Sequence, residues 1–331
     1  MTYRKFYLII PTYNRLELAR RAIESAIVAF QDYLAVATGS LHIVVVDDGS
    51  TDGTRSFFKN YKTYSPSICL TYVFQENGGA HAARNTALEF IFNTHNRQKP
   101  NEYLSYLDSD DVLSPFFFSG FLTYERPNSV YAYEDVFFHE GWPSFGQTDK
   151  RSEHHKLLTK RGATREIVKR VRGVVNTIYP LELWRNVRFP HTTFYEDVSA
   201  SVFACDHADY VFFLPMIGYG IFTGNASIVR RKTDDKYCKE RIVSATRLWY
   251  SALLLKKTSR RYYRSFFAEA ALYFLIRLSR DGYATLDKDS MGFFTRKNIL
   301  LSGFGRPRSF AKSLLFLLTG PKLYYRLFSK K

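Results

Sequence analysis

The sequence predicts an α/β protein: a mostly parallel sheet flanked by helices, followed by a helical, basic C-terminal region. Three observations predict it. Apolar strand-like runs alternate with segments of helical period four times within about the first 110 residues. One of those runs, HIVVV at 42–46, is β-branched and apolar on both faces, as a strand buried in a parallel sheet must be. Charge is also segregated. Residues 228–331 hold 24 Lys/Arg against 7 Asp/Glu, so the chain's net +16 leaves residues 1–227 at −1.

Each element has its own warrant. Residues 3–11 contain the run FYLIIP, a strand ended by proline. Residues 14–30 place Leu18, Ala22, Ile23, Ala26, Ile27 and Phe30 at helical spacing. The segment 31–40 then reads as a long connection to the second strand at 42–46. That strand runs into DDGSTDGT, whose Ser and Asp can cap a helix over 54–64. A third strand is expected at 70–74, then the loop QENGG, a helix over 80–93, and a fourth strand, YLSYL, ending in DSDD. Beyond residue 113 the alternation fades. Residues 130–139 and 210–214 read as strands, 173–189 as mixed structure and 196–208 as a helix. Helices dominate from Asp235 on, with stripes through Ile242, Ala245, Trp249 and through Tyr263, Phe267, Phe274.

Composition narrows the class. A chain of 331 residues, 17% aromatic, is neither disordered nor collagenous. Cys69, Cys205 and Cys238 lie far apart, which fits a reducing compartment and offers no zinc site. The N-terminal apolar run and the stretches at 266–276 and 313–319 are too short to span a membrane. The histidines show no metal spacing. For Trp142 and Trp184 core packing is a better explanation than stacking on a ligand.

In an open parallel sheet, ligands bind beyond the carboxyl ends of the strands. Four successive strand ends carry polar chemistry here: Pro11-Thr12-Tyr13-Asn14, Asp47-Asp48-Gly49-Ser50, Glu76-Asn77-Gly78-Gly79 and Asp108-Ser109-Asp110-Asp111. The last loop is electrostatically poor unless a cation offsets it. Mg²⁺ or Mn²⁺ is commonly shared between one or two carboxylates and substrate phosphates, so the loop points to a metal–diphosphate site. No GxxxxGK[ST] occurs and no GxGxxG follows a strand, which argues against P-loop and dinucleotide readings.

The ordered set PTYNR, VVDDGSTDGT, ENGGAHAARNTAL and LDSDD resembles the donor half of family 2 glycosyltransferases with the GT-A fold. The resemblance is strong over about residues 6–115 and looser through NTIYPLELWRNVRFP and the YED of Tyr195-Glu196-Asp197, as far as residues 225–227. It implies a catalytic domain at 1–227, with a nucleotide-sugar half at 1–115 and an acceptor half at 116–227. It also implies an inverting transfer from a UDP-sugar or other nucleotide sugar to a lipid-linked glycan or surface polysaccharide. Carried over by position, Pro11, Thr12 and Tyr13 would line the base pocket. Asp48, or its neighbour Asp47, would meet the base edge. Arg84 would sit near the base or diphosphate, and Asn85 would orient its loop. Asp108 would face the ribose or metal, and Asp110 would ligate the cation. Asp197 would be the general base, with Glu196 as the alternative. Inverting transfer needs such a carboxylate to take the acceptor proton, and it needs the leaving diphosphate neutralised. A nucleotidyltransferase is the competing enzyme class, and a non-catalytic membrane-surface protein the competing binding class.

The C-terminal region 228–331 interleaves cations and aromatics, as in RRYYR at 260–264 and KLYYRLFSKK at 322–331. Such segments lie on anionic membrane surfaces. The expected partner is therefore a membrane and not nucleic acid, for which no module is present, and the expected location is the cytosolic membrane face. A second basic cluster occupies 150–172, with nine basic and two acidic side chains.

Overall fold

Among the described residues, nine strands form one sheet in the computed structural model, in the order β3-β2-β1-β4-β8-β6-β9-β5, with β7 pairing on β9. The structure describes residues 2–61, 65–94, 100–145, 156–159, 173–224, 234–255, 257–277 and 286–293. Strands β1 (Tyr3–Thr12), β2 (Thr38–Asp47), β3 (Ile68–Phe74) and β4 (Glu102–Tyr106) are mutually parallel. β8 (Thr177–Pro180) joins antiparallel to both β4 and β6 (Ser129–Phe138), and β6 runs parallel to β9 (Tyr210–Phe222). The short β5 (Val112–Leu113) and β7 (Lys156–Thr159) each pair antiparallel to β9. The strand at 210–214 is thus longer than its apolar run suggested. Pro215 interrupts the sequence pattern, but pairing continues through Phe222.

Alternation in β1 explains the layers. Phe6, Leu8 and Ile10 join Leu41, Ile43 and Val45 in a core with Ala19, Ala22, Ile23, Ala26 and Phe30 of α1 (Leu16–Leu34). Successive strand residues point to opposite faces. The intervening Tyr7, Ile9, Val44 and Val46 are therefore on the other face, and they too are fully buried. α3 (Ala80–Thr94) lies against β1 and β2 and buries Ala83, Ala87, Leu88 and Ile91.

The long connection expected over 31–40 does not exist. Phe30 and Tyr33 continue the buried face of α1, so the helix runs to Leu34, and β2 begins at Thr38. The Tyr33 hydroxyl donates to the Thr38 carbonyl across the short turn. The helix expected over 54–64 stops at Lys59 (α2, Thr54–Lys59), where Asn60 Nδ2 closes the last turn on the Ser56 carbonyl.

By backbone proximity the chain divides into two units. The first comprises Met1–Ala163, Val174–Phe189 and His207–Ala226, and it holds the whole sheet. The second comprises Thr164–Gly173, Pro190–Asp206 and Ser227–Lys331. It contains α4 (Glu196–Cys205), α5 (Asp235–Ser251), α6 (Lys257–Arg277) and α7 (Lys288–Phe293). Among the described residues no helix is long and apolar enough to cross a membrane. The basic cluster at 150–172 (apart from the backbone of β7), His154 and His155, residues 225–227, the stretch at 313–319 and the terminal run at 322–331 lie outside the described residues.

Candidate active site

β1 and β4 are adjacent, and β2 and β3 extend away from β1 on its other side. The strand order therefore reverses between β1 and β4, and the crevice at such a reversal is where α/β sheets bind ligands. PTYN follows β1 and DSDD follows β4, so two of the four polar loops flank that crevice.

The loops are tied together before any ligand is considered. The Asn14 N–H donates to Ser50 Oγ at 2.8 Å, and Asn14 Oδ1 accepts from the Thr51 N–H at 2.7 Å. Asn14 takes a positive φ of 50° to do so, which asparagine tolerates. The Leu16 N–H, in the first turn of α1, donates to Asp52 Oδ2. Asp47 is fully buried and accepts from the Ser50 N–H and the Tyr72 hydroxyl. Asp48 accepts from Gln75 Nε2 and from the N–H groups of Gly78 and Gly79, all within 2.7–2.8 Å. Gly49 has φ +86°, and a Cβ there would lie 3.0 Å from the Asn77 nitrogen, so glycine lets the second loop close on the third. Asp47 and Asp48 thus shape the loops that surround them. Thr12 Oγ1 is buried at the end of β1 with no hydrogen-bond partner. Tyr13 beside it is exposed.

DSDD is held differently. Arg84 Nη2 donates to Asp108 Oδ1 at 2.7 Å, and Arg15 Nη1 donates to Asp110 Oδ2 at 2.6 Å. Arg84 is buried, whereas the Asp108, Asp110 and Arg15 side chains keep 38%, 20% and 34% of their surface. Arg21 donates to the Asp110 carbonyl and lies over the rings of Phe138 and Phe222. Asp111 turns inward, where it accepts from the Tyr219 hydroxyl and the Phe222 N–H. The Tyr219 hydroxyl also accepts from the Asp108 N–H, so one phenol fixes both ends of the loop. Burial, then Asp108 and Asp110, pushes the Asp111 carboxyl up to about 8. Burial and Asp108 also raise Asp110, with Arg15 opposing them. The loop therefore concentrates negative charge where a cation relieves it.

The donor set fits a hard divalent cation. Asp108 and Asp110 offer carboxylate oxygens only, both retain open surface, and Asp110 is electrostatically strained toward protonation. Among the described residues no group of three or more His, Cys, Asp or Glu side chains converges on one metal position. Two carboxylates with the remaining positions left to phosphate and water is the pattern Mg²⁺-type ions favour.

Asn85 clamps the segment that leads toward the Glu-Asp pair. Its Nδ2 donates to the Phe189 carbonyl and its Oδ1 accepts from the Phe189 N–H. Arg84 also lies over the Phe189 ring.

Glu196 and Asp197 open α4 in the second unit, and both are half-buried. Tyr195 before them has φ 65°, the left-handed region, which is costly for an aromatic residue and marks a tightly determined turn. The determinant is a buried cation cage. The Arg241 guanidinium lies 3.9 Å from the Phe194 ring centroid, 4.8 Å from Tyr195 and 5.0 Å from Tyr237, and its Nη2 donates to the Tyr237 hydroxyl. Asp197 Oδ1 accepts from the Val198 N–H. A Cβ on Gly173 would lie 2.1 Å from Asp197 Oδ2, so only glycine leaves room for that carboxylate.

Residues 7–166 match the profile described as Glycosyl transferase family 2. That segment, just under half of the chain, is similar to family 2 glycosyltransferases. The putative teichuronic acid biosynthesis glycosyltransferase TuaG of Bacillus subtilis is 36% identical over 104 residues, covering 31% of this chain and 35% of TuaG. The chain spans about a third of the length of the curated relatives it matches (28% and 35% for two of them). Two solved structures share the fold at low identity. S. aureus TarS 1-349 in complex with UDP-GlcNAc superposes with a TM-score of 0.58 at 17% identity, over 96% of this chain and 92% of that one. The mannosyltransferase PcManGT of Pyrobaculum calidifontis, in complex with GDP-Man and Mn2+, gives 0.51 at 16% identity, over 100% and 89%. The fold of the chain is accordingly GT-A, as the strand-end motifs implied.

Sequence reasoning missed Arg15, Arg21, Tyr219, Gly173 and Arg241. Arg15 stood inside the quoted PTYNR run, and an arginine next to one strand end is a natural partner for acids at its neighbour. Nothing local marks Tyr219 or Gly173, whose partners lie 108 and 24 residues away. Trp184 is core, packed on Tyr106, Tyr179 and Phe189, whereas Trp142 is exposed.

Proposed function

We propose that this chain is an inverting, metal-assisted glycosyltransferase that moves a sugar from a UDP-sugar, or another nucleotide sugar, to a hydroxyl of a lipid-linked glycan or surface polysaccharide. The observation that carries the reading is the array of DSDD carboxylates and arginines at the strand-order reversal, Arg84–Asp108 and Arg15–Asp110. It offers cation ligands and phosphate-binding guanidinium groups within one crevice, which is what a nucleoside diphosphate leaving group requires.

Pro11, Thr12 and Tyr13 frame the base, and Asp47 and Asp48 hold the loops around it. The orphaned Thr12 hydroxyl supports a polar ligand group there. Asp108 and Asp110 would hold Mn²⁺ or Mg²⁺, which when bound neutralises the departing diphosphate. Arg84 adds positive charge near the same oxygens, and Asn85 keeps the Phe189 segment in register. Asp197 takes the proton of the attacking acceptor hydroxyl, and Glu196 is the alternative base. The UDP-GlcNAc of the TarS complex, the Mn2+ of the mannosyltransferase complex and the teichuronic acid role in TuaG's name support donor, metal and acceptor classes respectively.

The 228–331 region, with its +17 charge, would meet an anionic membrane surface where lipid-linked acceptors reside. At the corner between α5 and α6, Leu253 and Leu254 are 62% and 81% exposed beside exposed Tyr250. Arg260 bonds the carbonyls of Leu253 and Leu255, so this apolar tip is held in shape next to basic chain. Such a tip with a cationic rim suits insertion among lipid headgroups.

A thermal-shift screen of nucleotide sugars, followed by transfer assays on Asp197→Asn, tests the reading. One nucleotide sugar is expected to stabilise both proteins, and only the wild type should turn it over. Stabilisation by none of them sinks the proposal. Retained turnover in the variant moves the base elsewhere.

A further inference from the structure

We propose that Arg15 is an internal competitor of the divalent cation: it holds Asp110 until the metal claims that carboxylate, and then passes to the donor's diphosphate. This rests on the reading of Asp108 and Asp110 as the metal-binding pair.

Arg15 belongs to the loop after β1, immediately before α1, and Asp110 to the loop after β4. Their 2.6 Å contact therefore spans the crevice where the donor would lie. Arg15 Nη1 sits on Asp110 Oδ2, an oxygen that an inner-sphere cation would need. One oxygen cannot serve a guanidinium donor and a close metal contact at full strength, so the two cations oppose each other. Both side chains keep part of their surface in solvent, 34% for Arg15 and 20% for Asp110, and an ion pair that solvent reaches is screened, which makes it exchangeable. Arg21 differs: it is anchored to the Asp110 carbonyl and to two aromatic rings, and it fixes the loop's backbone and not its carboxylate.

The exchange keeps charge balanced. Before donor binding, Arg15 neutralises Asp110 and Arg84 neutralises Asp108. With donor and metal bound, the carboxylates neutralise the metal, and the released Arg15 guanidinium meets the diphosphate, for which the arginine fork is the better geometric match. Metal and nucleotide are then thermodynamically linked: each lowers the cost of the other's binding by occupying one partner of the same ion pair.

Mn²⁺ binding to the full chain without nucleotide, followed by electron paramagnetic resonance of the free ion, tests this apart from activity. Arg15→Met is expected to bind Mn²⁺ about three- to ten-fold more tightly than wild type, the range that losing a roughly 1 kcal/mol competitor gives. The same variant should bind UDP more weakly at saturating Mn²⁺. Asp110→Asn placed in the Arg15→Met background should abolish the gain. Arg15→Lys, which keeps the charge but loses the fork, should leave Mn²⁺ binding within about two-fold of wild type. Mn²⁺ binding by Arg15→Met no tighter than wild type, in a protein that still binds UDP with Mn²⁺, overturns the role of Arg15 and leaves the glycosyltransferase reading intact. Wild-type protein that binds neither UDP nor another nucleoside diphosphate, with or without Mn²⁺, overturns that reading itself.

Discussion

Asp47 and Asp48 of the DDGS loop accept chiefly from backbone N–H groups of their own and the neighbouring loop, whereas Asp108 and Asp110 of DSDD face arginine side chains. The two loops look alike in sequence: both follow a strand, and both hold a pair of adjacent acids within two residues of a Ser. Their partners give them different work. A backbone N–H cannot leave without unmaking the loop, so the first pair fixes shape. The Arg15 guanidinium, on a partly exposed side chain, can exchange for another cation, so Asp110 can bind. Recognition of a flat base profits from the first arrangement, and transient capture of a metal–diphosphate from the second.

Asp197→Asn is expected to have the largest effect, and it sharpens the comparison because it lies in neither loop. Turnover should fall by about 10²–10⁴-fold with UDP affinity unchanged, read by steady-state transfer and calorimetry. Next is Asp48→Ala, which strands the Gly78 and Gly79 N–H groups. It should lower unfolding free energy by about 2–4 kcal/mol in urea titrations, whereas Asp110→Ala should lose at most about 1 kcal/mol. Equal losses from the two would break the distinction. Gly173→Ala should displace the Asp197 carboxylate and cost about 10–100-fold in kcat while leaving the KM for donor unchanged. The smallest change in stability, within about 0.5 kcal/mol, is expected for Leu253→Ser with Leu254→Ser. That pair should nonetheless lose flotation with anionic vesicles, and retained flotation would remove the apolar tip from the membrane contact.

Much of the first unit was legible because its signals are local. FYLIIP, HIVVV and YLSYL carry strand periodicity on their face, and a loop after a parallel strand has one rim to go to. The extent of α1 was misjudged because QDYL looks polar, although Tyr33 is buried and its hydroxyl finds a carbonyl. The site's acids were legible as acids, but their division of labour was not. Whether an aspartate meets an N–H or an arginine depends on which loops the topology brings together. The same holds for the left-handed Tyr195 and the Arg241 cage, whose members are spread over 194–274.

The central claim is that DSDD is the exchangeable, metal-coupled loop. Calorimetry of UDP binding with and without Mn²⁺, on wild type and Asp110→Asn, tests it most directly. The expected result is that Mn²⁺ strengthens UDP binding to wild type by about tenfold or more, and that Asp110→Asn loses this strengthening, its metal-free affinity being equal to or above that of wild type because Arg15 is freed. An Asp110→Asn protein strengthened by Mn²⁺ as much as wild type would contradict it.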